Sequence, residues 1–104
     1  MNYHKLIRDK IPQIIKDDGS EPITYVADDA EYWAKLKDKL QEEVTEVLED
    51  TNVIEELADT LEVIHAMLAF KKITFDELEQ IRLNKKEKRG GFENRIILKE
   101  TIEK

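Results

Sequence analysis

Apolar residues recur at helical spacing along two neighbouring stretches of the chain. Leu36, Leu40, Val44 and Val47 share one face, and Val53, Leu57, Leu61, Ile64 and Leu68 share another, the spacing of amphipathic helices. Between them Asp50-Thr51-Asn52 has the composition of a tight turn. Asn52 suits the N-cap of the second helix, and Glu55, three residues on, completes a capping box. Helices joined by so short a link lie side by side and antiparallel.

The pattern predicts further elements on either side. Ile11, Ile14 and Ile15 give a short helix one apolar face; Asp9 can cap it, Pro12 suits its first turn and Gly19 ends it. Asp28-Asp29 supplies the N-cap of the long helix, which opens with Tyr32 and Trp33, an aromatic pair suited to a core or a subunit contact. Another helix starts at Thr74, with Glu77 completing a second capping box, and runs to about Lys88. Two segments break the helical pattern: EPITYVA over 21–27 and RIILKET over 95–101 are rich in β-branched residues. They could pair as a small two-stranded ribbon, which needs support to persist. The fold class read from the sequence is mainly all-α, an antiparallel helical bundle with such a ribbon beside it.

Size and charge narrow the picture. A chain of 104 residues makes one domain, residues 1–104, with a modest core that association would help stabilise. Leu61, Leu68 and Phe70 extend the apolar surface beyond one contact stripe, which predicts a homodimer or higher homo-oligomer, with two hairpins sharing a four-helix core. The net charge of −7 argues against a sequence-independent nucleic-acid partner. Cysteine does not occur, so disulfide and thiolate chemistry drop out. No apolar run approaches membrane-spanning length and the first residues lack a signal-peptide core, so a cytoplasmic protein is expected.

The acids of the hairpin carry the candidate chemistry. At about 100° per residue, Glu43 falls about 20° from Leu36, inside the apolar stripe, and Glu46 lies at its edge. On the second helix Glu56 points between Val63 and Met67, and Asp59 borders Val63 and Phe70. Position 51 is the midpoint of both 43/59 and 46/56, so a hairpin turning there sets Glu46 opposite Glu56 and Glu43 opposite Asp59. The two pairs are roughly 4–5 Å apart along the axis. Acid-rich helices are usually solvated or paired with lysines; inward phase and mirror symmetry together set these four apart. Convergent half-buried carboxylates repel one another and call for a cation. Oxygen ligands suit a hard divalent ion, Mg²⁺ first and Mn²⁺ as a substitute.

Other chemistries fit less well. Glu62-x-x-His65 has the spacing used in di-iron bundles, but a second such pair is missing. By phase, Glu62 also points away from the four acids. There is neither a P-loop nor a Gly-x-Gly-x-x-Gly run, so triphosphate binding would go through metal and basic side chains. Lys5, Arg8 and Lys10 cluster near the start, and Lys85, Lys86, Lys88 and Arg89 close the last helix. Locally the first group reads as surface charge and the second as a complement to the helix dipole. Beside a cation site both become candidates for holding phosphate.

Taken together, Glu42-Glu43-x-x-Glu46 followed by Glu56-x-x-Asp59 resembles the signature of the MazG-like all-α nucleoside triphosphate pyrophosphohydrolases. The opening Tyr3-His-Lys5-Leu-Ile-Arg8-Asp9-Lys10-Ile-Pro12 and the later Lys88-Arg89-Gly90-Gly91-Phe92 resemble its small, single-domain, phosphoribosyl-ATP pyrophosphohydrolase-like branch. The link between the two acid motifs is shorter than in many members, and it leaves the acids level. The resemblance implies a Mg²⁺-dependent hydrolase that cleaves between the α and β phosphates of a nucleoside triphosphate or related nucleotide. The products would be a nucleoside monophosphate and pyrophosphate, in a house-cleaning role against non-standard nucleotides. Glu43, Glu46, Glu56 and Asp59 would be the metal ligands. Glu42, Glu43 and Glu46 would serve catalysis, with Glu42 or a ligand activating water, and Lys5, Arg8, Lys86 and Arg89 would bind substrate. Carboxylate count alone fits attack at the α or the γ phosphorus. The competing expectation is a non-catalytic helical module whose acidic face binds a basic partner.

Overall fold

The computed structural model describes residues 4–49 and 51–103. Among them there are four helices and no strand: α1 (Ile11–Asp17), α2 (Asp29–Glu49), α3 (Val53–Phe70) and α4 (Phe75–Arg89). The chain is all-α, as the apolar spacing predicts. No helix of the described residues is long and apolar enough to cross a membrane. Contacts gather into two compact units, Met1–Lys72 and Ile73–Lys104. Tyr3 of the opening motif and Asp50 of the expected turn lie outside the described residues.

In the first unit α2 and α3 pack as a hairpin. Asp28 caps α2: the Glu31 amide donates to its Oδ1 at 2.8 Å, which satisfies one of the orphan donors of the first turn. Asn52 occupies the N-cap position of α3 without a side-chain cap bond. At φ −143° and ψ 77° its backbone is outside the usual capping geometry, so the expected box with Glu55 does not close through it.

The hairpin turns where the pattern places the hinge. Helix α2 ends at Glu49 and α3 begins at Val53, which centres the turn on residue 51. The far end agrees: the Tyr32 and Phe70 rings, whose midpoint is also 51, meet edge-on with centroids 5.5 Å apart. Trp33 stacks on Phe70 at 5.5 Å, and the Lys71 ammonium sits 4.4 Å above the Trp33 ring, a favourable cation–π placement. Phe70, which the pattern places beyond a single contact stripe, therefore closes the open end of the hairpin. Leu36, 1% exposed, and Val63 are the buried apolar side chains of the described residues.

Helix α1 is entered by a turn in which the Ile11 amide donates to Arg8 O at 3.0 Å. Lys10, and not Asp9, holds its N-cap position. Its end is a Schellman motif: Ser20 N bonds Ile15 O, Gly19 N bonds Lys16 O, and Gly19 has φ +89°, which glycine adopts at little cost.

In the second unit Thr74 caps α4, its hydroxyl accepting from the Glu77 amide at 3.1 Å. Gly90 ends the helix, its amide donating to Lys86 O. No residue of α4 is buried.

The ribbon does not form. Residues 21–27 and 95–101 have no strand structure, and Ile23, Val26, Ile96 and Ile97 are exposed. β-propensity reflects packing on a pleated, half-buried surface, and these side chains have no such surface. The first segment is instead tied to α2 by the Tyr25 hydroxyl, which donates to Glu31 Oε2 at 2.6 Å.

These placements predict a contrast in stability. Leu36→Ala should cost about 2–5 kcal/mol, whereas Ile23→Ala should stay within about 0.5 kcal/mol of wild type. Denaturant midpoints of the two variants measure both.

Candidate metal centre

Helix α2 carries Glu43 on the same face as Leu36, and α3 carries Glu56 two turns before Val63 on one face, so both carboxylates enter the hairpin interface. Glu46, one turn beyond Glu43, joins them. One oxygen from each of Glu43, Glu46 and Glu56 lies within 4.8 Å of the other two. Ligands across a hard cation stand about 4.2 Å apart for Mg²⁺ and about 5 Å for Ca²⁺, so this spacing is within reach of such ions.

Burial makes the cluster costly as it stands. Glu43 is 5% exposed, and Oε2 of both Glu43 and Glu56 is buried without a hydrogen-bond partner. Buried acceptors are nearly always satisfied, and an orphan asks for an explanation. Burial, then repulsion from Glu46, pushes the Glu43 carboxyl up from its ordinary value, with Lys39 opposing. Glu56 is pushed up to about 7, first by a hydrogen bond with Glu46, then by burial and by the charges of Glu46, Asp59 and Glu43. A proton shared between facing carboxyls is what such a pair does when no cation neutralises it. The donor set, all carboxylate oxygen with two acceptors unfilled, fits a hard divalent ion.

The fourth expected ligand is placed otherwise. Asp59 is not among the converging oxygens; its Oδ1 accepts from Arg8 Nη2 at 2.8 Å. The sequence register brings it level with Glu43, but the guanidinium from the segment before α1 claims it. Glu42 stands beside the cluster, 3.8 Å from Lys5 Nζ and 3.4 Å from Lys39 Nζ. Lys5 and Arg8 are thus both brought to the acids. Lys86 and Arg89 belong to the second unit, where Lys86 Nζ lies 3.7 Å from Glu93 Oε1.

A cleft of about 420 Å³ opens beside Glu43 and Asp59, with Tyr32, Leu36 and Val63 on its apolar wall and Arg8 and Lys39 among its cations. Two lining residues were not anticipated. Lys39, 3.6 Å from Glu43 Oε1, is four residues before it, a spacing that could have marked it. Glu62 was expected to face away from the acids, yet it lines the cleft while remaining exposed, because three residues along a helix returns close to the same face as Asp59.

Comparison with known proteins adds little to this geometry. A stretch of 43 residues is 46% identical to an uncharacterised protein of Mycolicibacterium smegmatis and covers 41% of this chain. The chain spans 44% of that protein's length. No family model matches, and no solved structure matches.

A raised carboxyl value implies that the folded state holds the proton more tightly than the unfolded one, so stability is lost as pH rises. For Glu56 the window runs from 4.5 to about 7. Glu56→Gln cannot lose that proton. Its stability relative to the metal-free wild type should therefore grow across this window and level off above it. Thermal melts of both proteins in chelator, over a pH series, check the sign; a flat difference would contradict the assignment.

Proposed function

We propose that the chain is a Mg²⁺-dependent nucleoside triphosphate pyrophosphohydrolase, with Mn²⁺ able to replace Mg²⁺, cleaving between the α and β phosphates. The observation that carries this reading is the buried, unpartnered Oε2 of Glu43 within a three-carboxylate cluster. The acid and basic motifs that resemble the MazG-like hydrolases support it. Glu43, Glu46 and Glu56 hold the ion, and Asp59 is the reserve ligand beside them. When bound, Mg²⁺ supplies charge neutralisation for phosphate oxygens and acidifies nearby water. Glu42, held at the rim by Lys5 and Lys39, lies outside the cluster and orients and deprotonates the attacking water. Lys5 and Arg8 face the polyphosphate, whose surplus negative charge needs cationic donors. The apolar wall of the cleft takes the nucleoside. Hydrolysis of free nucleotides fits a cytoplasmic location.

The active form is a homodimer. Leu48 is 79% exposed and Ile54 78%, at the closed end of the hairpin, and the two apolar side chains buried among the described residues are too few for a stable core in a small unit. Pairing two hairpins into a four-helix core covers this surface.

Three results test the reading. Purified protein given a nucleotide panel with Mg²⁺ should release pyrophosphate, and excess chelator should stop it. Glu43→Gln should lower the rate by at least about 100-fold with the helical signal kept, since losing a buried ligand is worse than the 10–100-fold of an outer-shell change. No metal-dependent release from wild type with any nucleotide would leave the acidic binding module as the better description. Separately, sedimentation at micromolar concentration should give a dimer that Leu48→Glu dissociates; a monomeric wild type would refute the pairing.

A further inference from the structure

Three cations beside the acid cluster are already engaged. Arg8 Nη2 donates to Asp59 Oδ1 at 2.8 Å across 51 residues of sequence, Lys39 lies 3.6 Å from Glu43, and Lys5 lies 3.8 Å from Glu42. Residues 4–8, which carry Arg8, form no helix or strand, and Leu6 and Ile7 beside it are only half-buried. Such a segment can move without unfolding the hairpin. Asp59 lies three residues after Glu56, about one turn further along α3. Its carboxylate can complete a cation site or hold a guanidinium, and a divalent ion and Arg8 compete for the same oxygens. The pair is also half open to water, the Arg8 side chain 57% and Asp59 43% exposed, so exchange is inexpensive.

We propose that Arg8 is an exchangeable counter-ion. It neutralises Asp59 while the cluster lacks a divalent cation, leaves Asp59 when one binds, and then presents its guanidinium to a phosphate-bearing ligand in the cleft. This rests on the cation-dependent reading of the site given above. Cation and anion then bind with positive coupling, and linkage makes the coupling reciprocal. Without the cation, a polyphosphate meets an Arg8 that is already paired.

The test uses the full chain and two simple probes, Mn²⁺ alone and inorganic pyrophosphate in chelator, each titrated calorimetrically at low ionic strength. Removing the competitor in Arg8→Gln should tighten Mn²⁺ binding roughly two- to five-fold, as expected for an exposed ion pair, and added salt should shrink the gain. Lys10→Gln, which removes a charge from the same cleft, controls for net charge; an equal gain from it would overturn the exchange. In Asp59→Asn, Arg8 is released, so cation-free pyrophosphate binding should strengthen, and the added Arg8→Gln change should cancel that gain. Circular dichroism verifies that each variant is folded. Unchanged or weaker Mn²⁺ binding in Arg8→Gln, or no gain in Asp59→Asn, overturns the proposal. A wild type that binds no Mn²⁺ overturns it together with the enzymatic reading. The predicted shifts without any nucleotide hydrolysis would uphold the exchange and sink only the enzymatic reading.

Discussion

A carboxylate buried between two helices is the constraint on which the site depends. Glu43 occupies a position whose neighbours on the face are Leu36 and Val47, and an apolar residue there would pack without penalty. The opposing helix then supplies Glu56 where a hydrogen-bond donor would serve folding better. Each acid removes a way for the other to be satisfied, and the outcome is two buried oxygens without partners and a proton retained near neutral pH on Glu56. Replacing buried charge by apolar side chains usually costs nothing or stabilises. A cluster that works against its own fold in this way is the kind of local conflict expected where binding, and not packing, sets the residue.

The hairpin can sustain this conflict because it is held at both ends. At one end the short turn around residue 51 leaves no slack; at the other, Phe70 is locked against Tyr32 and Trp33. Repulsion in the middle would splay two helices joined at the turn alone. The aromatic contact and the Leu36–Val63 core oppose that motion, so repulsion is relieved by protonation or by a cation and not by opening. The same clamp explains why the wall of the cleft is apolar on one side: Tyr32, Leu36 and Val63 serve both the core and the cleft.

Helix phase and the hinge were legible in the sequence because both are local. A period near 3.6 and a turn of three residues fix which side chains face inward and which stand level, and Glu43, Glu46 and Glu56 follow from that alone. What was not legible depends on contacts between segments far apart. Nothing in the local pattern says that Arg8, from irregular chain, would take Asp59 out of the cluster. The segments 21–27 and 95–101 show the converse error: β-branched composition was read as structure, although a strand exists only where another backbone pairs with it. Lys39 differs: its four-residue spacing from Glu43 is a local signal that the sequence does carry.

The charges around the cluster suggest why three carboxylates converge while two stand aside. Lys5 and Lys39 pair with Glu42, Lys39 also with Glu43, and Arg8 with Asp59, while Glu46 and Glu56 converge with Glu43. Acids outnumber bases here, with Asp9, Lys10 and Glu62 further along the same cleft. Were all five free, a single divalent cation would be badly outmatched and the remaining repulsion would persist in the bound state. Were more bases present, the cation would find too little negative potential to leave water. The lysines and Arg8 offset the outer acids, Glu42 and Asp59, and leave the repulsion among the inner three to a proton or, on the proposed reading, to a cation. Any anion that then enters meets bases whose carboxylate partners are shared with that cation. On the proposed reading, this is how a strongly acidic cleft would accept a negatively charged guest.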